Sequence, residues 1–420
     1  LGYVANKLRI KLEEDENDLE EFTVLGKSEL REIKERAFNV EVVDARKLHH
    51  TNLDLGHALD RVSGVRVRES GGVGSRMNFS LNGFSGKQVK FFIDGIPMDD
   101  FGSSFQLNNI PINLAERIEV YKGVVPIGLG ADALGGAVNI VTKNVQKNYA
   151  DVSYSYGSFN THRTVINTAF VAKSGFTFQL NAFQNYSDNN YWVDVDVADI
   201  ETGKYYPNQH VRRFHDTYHN ETVIAQLGVQ GKSYADKLLF GLTAGKNYSE
   251  VQTGARLVTV FGQWNRRGTI LMPTFKYQKR DLFTKGLDVN VNANYNFGSE
   301  QNIDTVNRRY NWFQQYKEYD VPGGERSYTL YKFKNNNAVF TANAHYNFGI
   351  IHTIAISNVL NSFNRTGNDA LSPENDRYEQ PRKSQKNITG LSYQLNWQDK
   401  ASVSAFSKIY NQTNYFTMSY

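Results

Sequence analysis

The chain has 420 residues, contains no cysteine and carries 47 basic against 43 acidic residues. The lack of cysteine excludes a disulfide framework and a thiolate metal site, and a net charge of +4 is too small to favour nucleic-acid binding. The sequence has no run of about 18 apolar residues, so it contains no candidate transmembrane helix.

The first fifty residues contain little that predicts a packed core. A short alternating stretch at 1–12 precedes the acidic run EEDENDLEE at 13–21, and such runs are typical of solvated linkers. The segment EFTVLGKS at 21–28 alternates apolar and polar residues and predicts a brief extended strand.

Residues 51–147 are rich in glycine and mix short helix and strand signals. The Asp94-Gly95 pair lies between two apolar runs and predicts a hairpin turn. The glycine stretches end in no Lys-Ser/Thr pair and open no clear βαβ unit, and nucleophile-elbow and HExxH motifs are missing. The chain is therefore not expected to be an enzyme, and no cofactor is predicted.

From residue 148 onward the chain reads as long alternating strands. The stretch LDVNVNANYNF at 287–297 alternates six apolar residues with Asp288 and four asparagines over eleven positions. A tilted strand needs about 9–11 residues to cross a bilayer, and asparagine is a poor strand former that we expect where its amide faces water in a wide lumen. Similar stretches predict ten or eleven strands.

The connections between these strands are unequal. Short turns such as 157–160 contrast with long polar, aromatic loops near 187–219, 299–335 and 362–386. This inequality is typical of outer-membrane barrels. The predicted fold is mainly β, a large antiparallel transmembrane β-barrel.

Four blocks of residues carry a family resemblance. They are LGHALDRVSGV (55–65), SRMNFSLNGF (75–84), VKFFIDGIPM (89–98) and LAERIEVYKGVVPIGLGADALGGAVNIVTK (114–143). Their order and spacing resemble the plug domain of TonB-dependent outer-membrane transporters. The sequence departs from the family pattern at Asn82-Gly83, at 123–126 and at Leu129-Gly130.

The resemblance implies a mixed α/β plug inside the lumen of a barrel of about 22 strands. Its domains would be the end of a β-sandwich extension (1–12), a linker (13–50), the plug (51–147) and part of the barrel (148–420). Only about half of the barrel strands are present, and half a barrel would leave unpaired edges in lipid. We therefore expect the protein to continue beyond residue 420 or a companion chain to complete it.

The resemblance also places a TonB box in the linker, at Glu21, Phe22, Thr23, Val24 and Leu25. An exposed extended segment there would add as a strand to the sheet of the periplasmic TonB protein. The alternative is a plain linker strand.

By resemblance, the function is TonB-dependent import of a scarce, bulky nutrient across the outer membrane of a Gram-negative bacterium. The expected partners are TonB, the lipid bilayer and a small ligand, foremost a ferric siderophore, and no nucleic acid. Haem, cobalamin and SusC-like glycan import, the last with a possible surface lipoprotein, are alternatives. A passive porin and a surface adhesin are alternatives of another class.

Candidate ligand contacts lie in two plug loops expected at the apex and in two long outer loops. Aromatic and guanidinium groups suit a planar anionic chelate, although aromatic loops and solvated glycine turns would give the same pattern. The candidates are Arg68, Ser75, Arg76, Phe101, Phe105, Tyr191, Trp192, Tyr205, Tyr206, His210, Arg308, Arg309 and Trp312.

Two smaller predictions concern charges. Glu116, Arg117 and Glu119 are expected either to form salt bridges to the inner barrel wall or to be ordinary strand-edge charges. The histidines between 210 and 219 are not predicted to bind a metal.

Overall fold

A computed structural model describes residues 38–49, 51–99, 101–130, 132–254, 257–321, 323–349, 351–374, 382–397 and 401–415. The predicted TonB box and the predicted β-sandwich remnant lie outside these residues. No helix in the described part of the chain has the length and hydropathy to cross a bilayer.

The first part of the structure is a small mixed domain. Its strands are β1 (Val40–Asp44), β2 (Val65–Glu69), β3 (Met77–Leu81), β4 (Phe84–Ser85), β5 (Val89–Ile93), β6 (Ile96–Pro97), β7 (Ala115–Lys122) and β8 (Gly136–Thr142), with one α-helix, α1 (Leu55–Leu59), and 3₁₀ turns at Ala45–Leu48, Gly86–Gln88, Ile112–Leu114 and Ile127–Leu129. One sheet has the order β1-β7-β8-β5-β6, and β2, β3 and β4 form a second. The β5–β8 pair is parallel and the other pairs are antiparallel.

The centre of this domain is apolar because β7 and β8 are covered on both faces. Ile118, Val120, Val138 and Ile140 are fully buried on one face, and Glu119 and Asn139, which alternate with them, are buried on the other. The strand β1 falls in the range that the sequence assigns to the linker, and its pairing with β7 places it in this domain.

The predicted hairpin turn is present between β5 and β6. Asp94 and Gly95 both have positive φ, 50° and 77°, as a type I′ turn requires at its two central residues. The Asp94 carboxylate accepts hydrogen bonds from the backbone N–H and the hydroxyl of Thr142, at 2.8 and 2.7 Å. The turn is thereby fixed to the end of β8.

The second part is one antiparallel sheet of long strands. They are β9 (Tyr149–Gly157), β10 (Thr161–Val171), β11 (Phe176–Ser187), β14 (Tyr218–Lys232), β15 (Ala235–Glu250), β16 (Asn265–Lys279), β17 (Leu287–Asn296), β18 (Ser299–Ile303), β21 (Lys332–Phe348), β22 (His352–Asn368), β23 (Arg382–Trp397) and β24 (Ala401–Tyr415). β18 continues β17, since both pair with β16 and β21. The sheet therefore has eleven successive positions, as the alternation predicts.

The alternating faces of β17 show the orientation of this wall. Asn292, Asn294 and Asn296 are buried, whereas Tyr295 and Phe297 on the other face are 37% and 53% exposed. The apolar face is outside, as predicted. The amides, however, do not face open water: the Asn296 amide donates to the carbonyl of Phe101 in the small domain. The small domain therefore acts as a plug against this wall.

The two ends of the wall differ as predicted. One end, here called the turn end, has the short connections 172–175, 233–234 and 280–286. The opposite end, here called the loop end, has three long loops, at 188–217, 251–264 and 304–331. The first loop contains a hairpin of β12 (Trp192–Ala198) and β13 (Tyr205–Arg212), and the third contains a hairpin of β19 (Arg308–Tyr310) and β20 (Tyr316–Glu318). The short turn at 157–160 lies at this loop end.

The sequence left open whether Arg117 and Glu119 of β7 form salt bridges to the wall or are ordinary strand-edge charges. These two side chains form an ion pair with each other at 2.8 Å, and Glu119 also accepts hydrogen bonds from Tyr121 and Asn139. Glu119 is buried among plug residues, so its charge is satisfied inside the plug. Glu116 lies 3.9 Å from Arg46, also in the plug.

Candidate functional site

A cavity of about 740 Å³ lies between the plug and the loop end of the wall. We call it the vestibule. The plug contributes Arg76, and the wall and its loops contribute Tyr218, Trp264, Arg266, Arg267 and Arg326. Four arginines from three separate stretches of sequence therefore line one space.

An aromatic ring and two guanidinium groups form the centre of the vestibule. The guanidinium carbons of Arg266 and Arg326 lie over the Trp264 ring, 4.8 and 5.4 Å from its centroid. The indole N–H donates to the side-chain oxygen of Asn302 at 2.6 Å, which fixes the ring. Arginine stacks on an aromatic face while its N–H donors stay free for a ligand.

The vestibule carries an excess of positive charge, because its four arginines outnumber the two carboxylates that line it, Glu300 and Asp304. In the part of the chain that the structure describes, no carboxylate lies within ion-pair distance of Arg76, Arg266, Arg267 or Arg326. The Glu300 carboxylate beside them accepts the backbone N–H of Ser103 at 2.8 Å. The arrangement can bind an anionic ligand through charge-assisted hydrogen bonds.

Two carboxylates that face backbone N–H groups hold this cluster in place. Asp304 is buried and accepts the N–H groups of Glu325, Arg326 and Ser327 at 2.6–2.8 Å. Glu325 in turn accepts the N–H of Trp264 at 2.7 Å. The loop that carries Arg326 is thereby fastened to the loop that carries Trp264.

The floor of the vestibule is the plug, held by amides of the wall. Asn247 accepts the hydroxyls of Ser103 and Ser104, and the Asn220 amide donates to the carbonyl of Ser104 at 2.9 Å. Asn189 binds both the N–H and the carbonyl of Val73. These bonds fix the two plug loops that the sequence places at the apex.

Of the predicted plug contacts, Arg76 lines the vestibule. Ser75 lies beside it, with its hydroxyl accepting the N–H of Gly71 at 3.1 Å. Arg68 is exposed on β2, opposite Asn78, and does not line the vestibule. Loop 68–76 therefore contributes one charged side chain.

The prediction for Phe101 and Phe105 is corrected. Both are 5% exposed and pack in the plug core, with ring centroids 6.1 Å apart. They border a second cavity of about 90 Å³ between the plug and the wall, which Asp94 and Lys276 also line. Their apolar rings fill the plug–wall interface.

The outer-loop candidates form a separate assembly. Trp312 is 2% exposed and packs with Val195, Val197, Val211 and Val260 in a small core shared by the loops. The expectation that Trp312 contacts a ligand is corrected, because the loops bury it. The same packing orders the loops relative to one another.

The remaining loop candidates lie outside the vestibule lining. Trp192 stacks on His210 at 4.7 Å, and both are exposed. Tyr191 lies under the Arg213 guanidinium, and Tyr205 and Tyr206 are exposed. Arg308 pairs with Glu318, and Arg309 lies over the Tyr319 ring.

Within the described residues, no group of three or more His, Asp or Glu side chains could hold a metal ion.

The sequence prediction missed Trp264, Arg266, Arg267 and Arg326. The stretch FGQWNRRG at 261–268 places a tryptophan and two arginines where β16 begins, which is a local signal. Arg326 lies within a predicted loop, but nothing in its neighbours distinguishes it from Arg308. Only the fold shows that it reaches Trp264.

Comparison with known proteins identifies the plug. Residues 32–137 match the family model of the TonB-dependent receptor plug domain. The vitamin B12 transporter BtuB of Vibrio vulnificus is 29% identical over 174 residues, which cover 39% of this chain and 27% of that protein. BtuB of Vibrio cholerae is 30% identical over 125 residues, covering 29% and 20%. The chain thus spans about a quarter of these curated relatives.

Solved structures share the whole fold. The siderophore receptor PirA of Acinetobacter baumannii superposes with a TM-score of 0.63 at 15% identity, covering 93% of this chain and 58% of that one. A mutant of the ferric enterobactin receptor PfeA of Pseudomonas aeruginosa gives 0.65 at 12% identity, covering 91% and 58%. The family-model match identifies residues 32–137 as a TonB-dependent receptor plug domain, and the solved structures show that the chain shares the fold of a plug followed by strands of a barrel.

Proposed function

We propose that this chain is part of a receptor that imports an anionic ferric siderophore across the outer membrane of a Gram-negative bacterium, with TonB supplying the energy. The observation that carries the proposal is the group of arginines around Trp264 in the vestibule. Structures with the same fold include siderophore receptors, which supports this choice of cargo.

The chemistry of the vestibule favours an anion with flat faces. A ferric chelate built from catecholate or carboxylate groups presents negative oxygens and planar rings together. Arginine N–H donors pair with such oxygens in a fork geometry, and the buried Trp264 ring holds the planar guanidinium groups of Arg266 and Arg326. An uncharged glycan would leave the guanidinium charges unpaired.

Cobalamin is the second candidate, because the two curated relatives described above are vitamin B12 transporters. Cobalamin presents a single phosphodiester and otherwise mostly amides. Its binding would therefore depend much less on four arginines than the binding of a multiply charged chelate.

The presence of the plug favours active transport over passive diffusion through a porin. Buried amides and ion pairs join the plug to the described part of the wall along its depth, which supports a bore that the plug closes. Movement of the plug therefore has to be driven, which is the role proposed for TonB.

The test is ligand binding to the purified full-length receptor. Ferric enterobactin and cyanocobalamin are titrated separately while the tryptophan fluorescence is followed, since Trp264 lines the vestibule. Arg266→Gln and Arg326→Gln are each expected to weaken ferric enterobactin binding about tenfold, close to 1.4 kcal/mol. Arg280→Gln, at the turn end beside Asp236, is the matched control.

The outcomes separate the two cargoes. Tight cyanocobalamin binding that both arginine variants retain would favour cobalamin and contradict the siderophore proposal. An equal loss of ferric enterobactin binding in Arg280→Gln would show that the vestibule is not the binding site.

A further inference from the structure

In the part of the chain that the structure describes, three ion pairs join the plug to the wall, and all three have the same polarity. Asp94 binds Lys276 at 2.5 Å, Asp54 lies 3.5 Å from Arg163, and Asp132 pairs with Lys386. In each pair the plug supplies the carboxylate and the wall supplies the cation. Among the described residues, no plug lysine or arginine forms an ion pair with a wall carboxylate.

Two further wall lysines are covered by neutral plug acceptors. The Lys237 ammonium donates to the side-chain oxygen of Asn144 at 3.2 Å, and the Lys408 ammonium donates to the carbonyl of Val125 at 3.0 Å. Five wall cations therefore face the plug and are masked by it.

The wall carboxylates that touch the plug are fewer. Glu300 accepts the N–H of Ser103, and Asp151 accepts a long hydrogen bond of 3.5 Å from Asn113. The described part of the wall thus presents an excess of positive charge to the space that the plug fills.

These cations are spread along the depth of the wall. Arg163 and Lys386 lie near the loop end of their strands, and Lys276 and Lys237 lie near the turn end. On β16 alone, Arg266 of the vestibule and Lys276 are ten positions apart and lie on the same face. At about 3.3 Å per residue, this spacing is roughly 33 Å.

We propose that the plug masks a path for anions on the inner wall, and that movement of the plug uncovers it. Arg163, Lys386, Lys408, Lys276 and Lys237 then continue the positive charge of the vestibule towards the turn end. A channel lined by one sign of charge raises the local concentration of the opposite ion. The inference rests on the proposed function in one respect, because it assumes that the plug leaves the wall during transport.

The test compares the two sides of the same ion pairs. Full-length receptor is reconstituted in a planar bilayer with a KCl gradient, and urea is raised to release the plug while the barrel remains folded. The zero-current potential gives the permeability ratio of chloride to potassium. Lys276→Gln/Lys386→Gln removes two wall cations, and Asp94→Asn/Asp132→Asn is the matched control that breaks the same pairs from the plug.

Both double variants are expected to open at a lower urea concentration than the wild type. Only the wall variant is expected to reduce the chloride-to-potassium permeability ratio of the open channel, by several-fold. An unchanged ratio in the wall variant, or an equal fall in both, would show that the ion pairs only hold the plug and would overturn the proposal.

A channel that stays closed until the barrel unfolds would also overturn it, because the proposed path requires a plug that can leave an intact wall. The readout uses only potassium and chloride. It can therefore fail while ferric enterobactin binding in the vestibule succeeds, and the reverse also holds.

Discussion

Glu325 accepts the backbone N–H of Trp264 at 2.7 Å, although the two residues belong to different loops. The same carboxylate accepts the N–H groups of Gly262 and Gln263 at 2.6 and 2.8 Å. Three donors converge on one side chain that does not line the vestibule. Glu325 is therefore a positioning residue for the ring on which Arg266 and Arg326 lie.

Replacement of Glu325 by alanine is expected to weaken ferric enterobactin binding without removing any ligand contact. Three backbone donors lose their acceptor, and leaving the N–H of the buried Trp264 unpaired costs about 1–3 kcal/mol. Isothermal titration of the full-length receptor measures the loss, and the thermal midpoint of the barrel should stay unchanged. Glu318→Ala, which breaks the exposed pair with Arg308, is the control; an equal loss there would contradict a specific role for Glu325.

Loss of a wall amide should loosen the plug. Asn220 is fully buried and donates to the carbonyl of Ser104, so Asn220→Ala is expected to weaken plug docking by about 1–3 kcal/mol. The measurement is the urea concentration at which a protease first cleaves the plug. Asn358→Ala is the control, because the side-chain hydrogen bonds of Asn358 to described residues go to Asn387 and Thr389 of the wall. No difference between the two variants would contradict a docking role for Asn220.

The fold could be predicted from local pattern, and the site could not. The apolar/polar alternation of β17 and the hairpin turn at Asp94-Gly95 depend only on residues that are neighbours in sequence. Both were therefore predicted correctly. The burial of Trp312 depends on how separate loops pack, and no residue near it in sequence records that packing. An aromatic side chain in a loop looks the same in sequence whether it binds a ligand or fills a core.

The arginine pair shows the same limit. Arg266 and Arg326 come together because Asp304 and Glu325 bind backbone N–H groups across two loops. Backbone N–H groups are present at nearly every residue, so such contacts leave no side-chain signature. The polar row of β17 was also interpreted incompletely: its amides were expected to face water, and the structure shows that Asn296 binds the plug whereas Asn292 donates to Thr341 of the neighbouring wall strand.

Plug docking is expected to weaken in acid. Burial opposes ionisation of Asp94, but the Lys276 ammonium and the two hydrogen bonds from Thr142 outweigh it and hold the pKa of this carboxyl below its usual value. A lowered pKa contributes stability that is fully present above the ordinary aspartate value of about 3.9 and is lost as the pH falls through the lower, folded-state value.

The urea concentration that exposes the plug should therefore stay constant from neutral pH down to about pH 4 and should decrease at lower pH. Asp94→Asn should reduce this acid dependence, and Asp94→Asn/Asp132→Asn should reduce it further, since Lys386 lowers the pKa of Asp132 against the effect of burial. Asp199→Asn, in the outer loop between β12 and β13, should leave the dependence as in the wild type. A steep loss of docking between pH 7 and 5 would contradict this assignment.

Residues 21–25 should be needed for transport and not for binding. Strand addition to TonB uses backbone hydrogen bonds, and proline removes a backbone donor. Thr23→Pro is therefore expected to abolish uptake of iron-55 ferric enterobactin by cells, with surface binding unchanged. Thr23→Ala keeps the backbone donor and should retain most of the uptake, which makes it the matched control.

The pair of substitutions also decides between the two interpretations of this segment. A plain linker strand would tolerate proline as well as alanine, because a tether needs length and solvation and no particular hydrogen bond. Equal uptake by Thr23→Pro and Thr23→Ala would therefore reject the TonB box at this position. Loss of surface binding in Thr23→Pro would instead show that the segment supports the folded plug.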